Sequence, residues 1–264
     1  MKVTEEINSE IIEYLLYAER DAHEVLKITN EYPELNIEQA YKIQKGLLEK
    51  RIKENNTEKV GIKLGLTSKA KQEMMGVNEP IYGDLHADMR EESDQPISCS
   101  DLIHPKIEPE IAFFIEEDIV GSNISEDDIL KATKYIAPAL EIIDSRYKDF
   151  KFTLVDVVAD NCSSSKFLVG EKTLLNEEID LGNIQMSMDK NEVTVQTGVS
   201  SAVLGHPLTA MAWAANLLIE NGGGFKKGDI VLSGAITEAV TVEPGDTISA
   251  EFDYIGAIKA SFSE

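Results

Sequence analysis

The chain has 264 residues and a formal net charge of −23, with 48 acidic side chains against 25 basic ones. Such an acidic body repels nucleic acid and anionic membranes, so both are ruled out as expected partners, although a local cation and a few lysines can still draw in a small anion. The length allows one large or two modest domains, and the two cysteines, Cys99 and Cys162, lack metal-type spacing and fit a reduced cytoplasm.

The N-terminal run MKVTEEINSEIIEYLL sets Ile7, Ile11, Ile12, Leu15 and Leu16 at helical spacing and lacks the basic start of a secretory signal. A turn-rich stretch, ITNEYPELN, leads to a second helix predicted over 37–53, capped by Asn36 with Glu38 and Gln39 in its first turn. From Val60 the character changes. KVGIKLGL and IAFFIEEDIV read as strands, and 124–132 as a short helix opened by Ser125. A helix over 207–220 follows from Pro207 in its first turn and the Asn221-Gly222 stop. No apolar run reads as long enough to span a bilayer. The segment GDIVLSGAITEAVTVEPGDTISAEF alternates turn dipeptides with β-branched strands, the pattern of a curled antiparallel sheet or β-roll. The fold class expected is α+β: a helical region over 1–58, then a strand-rich core over 59–264.

Three carboxylates carry the chemistry. Glu108 and Glu110 lie two apart in HPKIEPEIAFFI, so on a strand they share one face, and Glu141 in YIAPALEIID can join them from a neighbouring strand. Three such groups in one partly buried site need a cation, and an all-oxygen set suits Mg²⁺ or Mn²⁺ better than Zn²⁺. The plainer alternative makes Glu108 and Glu110 the solvent side of an amphipathic strand. Against it, Glu141 stands in an otherwise apolar run, where a lone carboxylate is costly. Pro109 removes a ladder donor and places its segment at an edge or beside an irregularity.

Lys63 interrupts an apolar strand and shares a face with Gly61 and Gly65, small neighbours that would leave room for a ligand; an ordinary snorkelling lysine fits the residues too. In VADNCSSSKF, Asp160, Asn161, Ser163 and Ser164 could bond a carboxylate or close a turn. Thr237, in LSGAIT, is a weaker candidate for a hydrogen bond to substrate. His23, His86, His104 and His206 are scattered without zinc spacing; GHPL could place backbone N–H groups and His206 beside an anion at a helix start, and a helix entry shaped by Pro207 explains it equally well.

GIKLGLTSKAKQEMMGVNEPIYG, HPKIEPEIAF, PALEIIDSRYKDFKF, VADNCSS and AVLGHPL, in this order, resemble the hydratase and decarboxylase family of aromatic meta-cleavage pathways, within the fumarylacetoacetate hydrolase superfamily. The similarity covers nearly the whole chain. It implies a mixed β-roll core, a Mg²⁺ or Mn²⁺ site held by Glu108, Glu110 and Glu141, and a homo-oligomer, with association to a sister hydratase as a further partner. It also implies that Lys63 binds a substrate carboxylate or stabilises an enolate oxygen, and that Asn161 and Ser163 contact substrate. Cys162 replaces the usual alanine of that run and reads as a packing residue, not a nucleophile.

Two branches of the family compete. Its hydratases commonly carry an aspartate, associated with proton handling, where this chain has Ile81 in EPIYG; its loss tilts the resemblance toward the decarboxylases, although Ile81 can be a simple packing residue. The implied substrate is the dicarboxylate 2-oxo acid 2-oxohex-3-enedioate. Its departing carboxylate sits on C5, beside the C3=C4 double bond that is conjugated with the C2 carbonyl, which makes it a vinylogous β-keto acid, so a Lewis-acid cation near that oxygen suffices as electron sink. Hydration of 2-hydroxypenta-2,4-dienoate, or a catalytically silent role stabilising a hydratase, are the other implied activities.

Overall fold

The computed structural model describes residues 5–264, apart from the side chains of Lys71 and Met74; residues 1–4, the start of the expected helical region, lie outside it. Helix α1 (Glu5–Arg20) buries Ile7, Ile11, Leu15 and Ala18 along one stripe. Helix α2 (Ile37–Asn55) opens with a reciprocal capping box between Asn36 and Gln39 and stops at Asn56 in the left-handed conformation, two residues beyond the expected end. Both helices pack around a core that also takes in Tyr147, Ile81 and the short helix α5 described below.

The strands, in chain order, are β1 (Lys59–Gly65), β2 (Ile81–His86), β3 (Ile97–Ser98), β4 (Lys106–Ile115), β5 (Thr133–Ile143), β6 (Ser164–Val169) and β7 (Thr173–Leu174). They continue as β8 (Gln185–Lys190), β9 (Val193–Val199), β10 (Ile230–Leu232), β11 (Val240–Thr241), β12 (Thr247–Phe252) and β13 (Gly256–Ser263). Between them lie α3 (Lys69–Met75), α4 (Glu126–Ala132), α5 (Leu154–Ala159) and α6 (Pro207–Glu220). The larger sheet runs β2-β1-β10-β4-β5-β6, with β11 beside β4 and β7 beside β5; the second runs β3-β13-β12-β8-β9. β1 pairs parallel with β10 and β13 parallel with β3, whereas the other ladders are antiparallel, so the curled β-roll is mixed.

Strand alternation sorts the larger sheet into two faces. Ile62, Ile107, Ile111, Phe113 and Leu168 point into the roll and meet Met188, Ile248 and Phe262 of the second sheet and the alanine-rich face of α6. The opposite face carries Ala112, Ala137, Ala139, Leu232 and Phe167. The acidic side chains of β4 and β5 stand on this same face.

The helix expected over 207–220 is present with those bounds, and Ser125 caps α4 as expected. One expectation needs correction. The helical stretch Ser200–Glu220 is long and apolar enough to cross a membrane, with a mean hydropathy of 1.4, but half of that window is buried in the protein. Ala210, Met211, Ala214 and Ala215 are fully enclosed, so its apolar character serves the core.

Candidate metal centre

β4 and β5 pair antiparallel along their whole length, with Glu108 directly opposite Glu141 and Glu110 opposite Ala139. The period of two therefore brings all three carboxylates to one face. They are 7%, 0% and 0% exposed for Glu108, Glu110 and Glu141, and one oxygen from each lies within 4.8 Å of the others. The solvent-facing alternative is thereby excluded. At that separation two ionised carboxylates repel by roughly 3–4 kcal/mol at an effective dielectric of about 20, so three mutual pairs approach the stability of a whole domain. A nearby cation, a proton or both must offset this.

Lys63 supplies one positive charge. Its Nζ lies 3.1 Å from Glu141 Oε1 and 3.2 Å from Oε2, and its side chain is almost wholly enclosed. Burial opposes its charge, but Glu141, Cys162, Glu108 and Glu110 outweigh that and raise its pKa, so it stays an ammonium. Ser164 Oγ donates to Glu141 Oε1 at 2.8 Å, and the Gly234 amide donates to Glu110 Oε2 at 2.7 Å. The remaining oxygen, Glu110 Oε1, is buried without a hydrogen-bond partner. Burial, then the charges of Glu141 and Glu108, push the Glu110 carboxyl well above the usual carboxylate range; burial raises Glu141 too, against the pull of Lys63.

Pro109 sits at an interruption, one of the two positions expected for it. β10 leaves β4 after Ala112 and β11 joins at Ile107, and the intervening loop bonds through Ile236 N to Pro109 O and through Ser233 N to Ile111 O. The loop that fills this gap also delivers the Gly234 amide to Glu110. Gly61 and Gly65 do share the face of Lys63, but the space beside them is not for a ligand. A Cβ at Gly61 would lie 1.9 Å from the Ile230 carbonyl oxygen, and one at Gly65 would lie 3.1 Å from Ile81 Cγ1. Ile81, 5% exposed, thus begins β2 as a hydrocarbon wall beside Gly65.

The polar run after α5 is drawn into the same neighbourhood. Asn161, Cys162 and Ser163 form a buried turn with three successive left-handed φ values of 47°, 55° and 57°. Asn161 spends its amide on the backbone of Asp84 in β2, through Oδ1 to N and Nδ2 to O, each at 2.9 Å. Ser163 Oγ is buried and unpartnered. Cys162 Sγ donates to the Tyr82 carbonyl, and burial pushes its thiol up to about 12, which suits a packing residue. Thr237 Oγ1 donates to the Glu238 carbonyl at 3.3 Å, in the loop that carries Gly234.

A family model described as fumarylacetoacetate (FAA) hydrolase C-terminal matches residues 69–263. The chain belongs to the fumarylacetoacetate hydrolase family. Among curated relatives, a 4-oxalocrotonate decarboxylase of Pseudomonas putida is 42% identical over 252 residues, 96% of this chain and 95% of the relative. A 2-hydroxyhexa-2,4-dienoate hydratase of Comamonas testosteroni is 37% identical over 253 residues, 95% of both chains. Among solved structures, a 4-oxalocrotonate decarboxylase from Pseudomonas putida G7 complexed with magnesium and adipate matches with a TM-score of 0.93 and 40% identity, covering 98% of each chain.

In this member of the fumarylacetoacetate hydrolase family the donor set fits a hard divalent cation. Three carboxylates converge, all donors are oxygen, and the orphaned Glu110 Oε1 has no other use. Two contributors escaped sequence reasoning. Gly234 acts through a backbone amide, which leaves no side-chain signal, and Arg146, whose guanidinium bonds the Ser164 carbonyl, lay unweighed in IDSRY. Ser164, one of the hydroxyls expected to bond a carboxylate or close a turn, bonds the carboxylate of Glu141.

Proposed function

We propose that this chain is a divalent-cation-dependent carboxy-lyase that converts 2-oxohex-3-enedioate to 2-hydroxypenta-2,4-dienoate and CO₂. The observation that carries the reading is the buried convergence of Glu108, Glu110 and Glu141 beside Lys63. It is supported by the similarity to decarboxylases over nearly the full length of both chains.

Glu108, Glu110 and Glu141 would hold Mg²⁺ or Mn²⁺, which when bound supplies Lewis-acid stabilisation of charge gathering on the substrate's C2 oxygen. Lys63, held as an ammonium, binds a substrate carboxylate or that same oxygen as the C5–C6 bond breaks and its electron pair moves along the conjugated chain. Ser163 Oγ, buried with its hydrogen bond unspent, is the group best prepared to meet the substrate; Asn161 contributes by holding the turn against β2, and Thr237 is a peripheral contact. Ile81, beside Gly65 on the face that carries Lys63, presents hydrocarbon and no acid there, which disfavours protonation and hydration of the dienol.

Hydration of the dienol is the second reading, favoured by the 37% identity to a hydratase over equal coverage. A silent stabilising role is the third; the converging carboxylates argue against it. Incubating the purified protein with Mg²⁺ or Mn²⁺ and 2-oxohex-3-enedioate, while following CO₂, dienol absorbance and hydrated product separately, distinguishes them. CO₂ released with dienol supports the decarboxylase; hydration without CO₂ selects the hydratase; inertness with rescue of a hydratase selects the silent partner. We further place the protein in the cytoplasm as a homo-oligomer able to associate with a hydratase, residues 1–58 forming the helical region and 59–264 the catalytic core. Both cysteines are free, as that compartment favours.

A further inference from the structure

The β5–β6 ladder slips next to Glu141. Ile142 pairs with Lys166 but Ile143 with Ser164, so Ser165 is the extra residue of a bulge. Phe167 is the partner of Glu141, and simple alternation from it would turn Ser165 to the carboxylate face; the bulge substitutes Ser164. Its Oγ accordingly reaches Glu141 Oε1 at 2.8 Å, and the residue is fully enclosed. Ser164 is the last pair of the slipped ladder, opposite Ile143, and the chain enters it from the left-handed turn of Asn161, Cys162 and Ser163.

Arg146 also holds it. The guanidinium, 2% exposed, forks between two carbonyls: Nη1 donates to Asp144 O at 2.9 Å and Nη2 to Ser164 O at 3.0 Å. One carbonyl lies three residues beyond Glu141, and the other belongs to its hydroxyl donor. Asp144 N adds a bond to Ser163 O at 2.8 Å. The charge is balanced by Asp160, 3.3 Å from Nε, and by Glu19 of α1, 3.4 Å from Nη2. A lysine could keep the charge but not donate to both carbonyls in this planar arrangement.

We infer that Ser164 and Arg146 are positioning residues for the metal centre: the Ser164 hydroxyl orients the Glu141 carboxylate, and the Arg146 fork keeps Ser164 in place. The inference rests on the reading of Glu108, Glu110 and Glu141 as cation ligands. It extends the centre through Glu19 to the N-terminal helical region.

Titration calorimetry with Mn²⁺ alone tests it, with wild type and Glu110→Gln as references and thermal unfolding run in parallel. Ser164→Ala is expected to weaken Mn²⁺ about tenfold while unfolding within a few degrees of wild type, as for loss of one buried hydrogen bond to a charged group. Ser164→Thr, which restores a hydroxyl, should recover most of the affinity, and Arg146→Lys should weaken Mn²⁺ at least as much as Ser164→Ala. Wild-type Mn²⁺ affinity in Ser164→Ala, with binding lost in Glu110→Gln, would overturn the positioning role alone. Undiminished binding in Glu110→Gln would overturn the ligand reading and this inference with it.

Discussion

Glu110 concentrates the chemistry of the site in one side chain. One oxygen takes the Gly234 amide, the other has no partner, and burial with two like charges lifts the carboxyl out of its ordinary range. In the metal-free protein the folded state holds the Glu110 proton more tightly than the unfolded state does. The stability that Glu110 contributes is therefore fully present below its unfolded pKa and is lost as pH rises through the raised pKa. A thermal melt of chelated protein from about pH 5 to about 8 should show that decline, and saturating Mg²⁺ should flatten or reverse it. A metal-free protein whose stability increases across that range would contradict the assignment. Glu110→Gln should lower cation-dependent turnover by about a hundredfold or more, at roughly 2.7 kcal/mol of lost transition-state stabilisation, with near-UV circular dichroism unchanged. Ile81→Asp sets an acid beside Gly65, on the face that carries Lys63, and should slow CO₂ release or raise the hydrated product; unchanged values for both would remove Ile81 from the branch argument.

The metal centre is a product of paired elements, and its precision comes from register. β4 and β5 supply the carboxylates, β1 the ammonium, and β10 joins β1 to β4, parallel to β1 with Gly61 opposite Ile230 and antiparallel to β4. A Cβ at Gly61 has no room against the Ile230 carbonyl, so Gly61→Ala should cost about 3 kcal/mol in urea unfolding and displace Lys63. A loss below about 0.5 kcal/mol would show that the ladder yields. Strand period made the common face of Glu108 and Glu110 legible in the sequence, and cap chemistry located α2, α4 and α6. The fit between Glu141 and Glu108 was not legible, because register across two strands depends on tertiary packing. Helix α5 passed unread despite its Thr153 and Asp156 capping box, since its residues adjoin a polar run that reads as a loop. The β8–β9 hairpin was missed for a related reason. Its turn uses Asn191 and Glu192, both left-handed, where glycine is the familiar second residue.

As a whole the molecule poses an electrostatic problem. On the proposed function, a chain of net charge −23 admits a dianion to a site lined by three carboxylates, with Lys63 enclosed among them. Long-range repulsion should slow encounter, and salt should relieve it. Raising ionic strength from about 10 mM to about 150 mM shortens the Debye length from about 30 Å to about 8 Å, so kcat/KM for the dicarboxylate should rise severalfold at fixed Mg²⁺. A fall would mean that the local field of Lys63 and the bound cation dominates approach. The central claim concerns that cation, and anomalous diffraction from a crystal equilibrated with Mn²⁺ tests it most directly. The account predicts one strong peak within bonding distance of an oxygen from each of Glu108, Glu110 and Glu141; no peak there at saturating Mn²⁺, or a peak bound elsewhere, would contradict it.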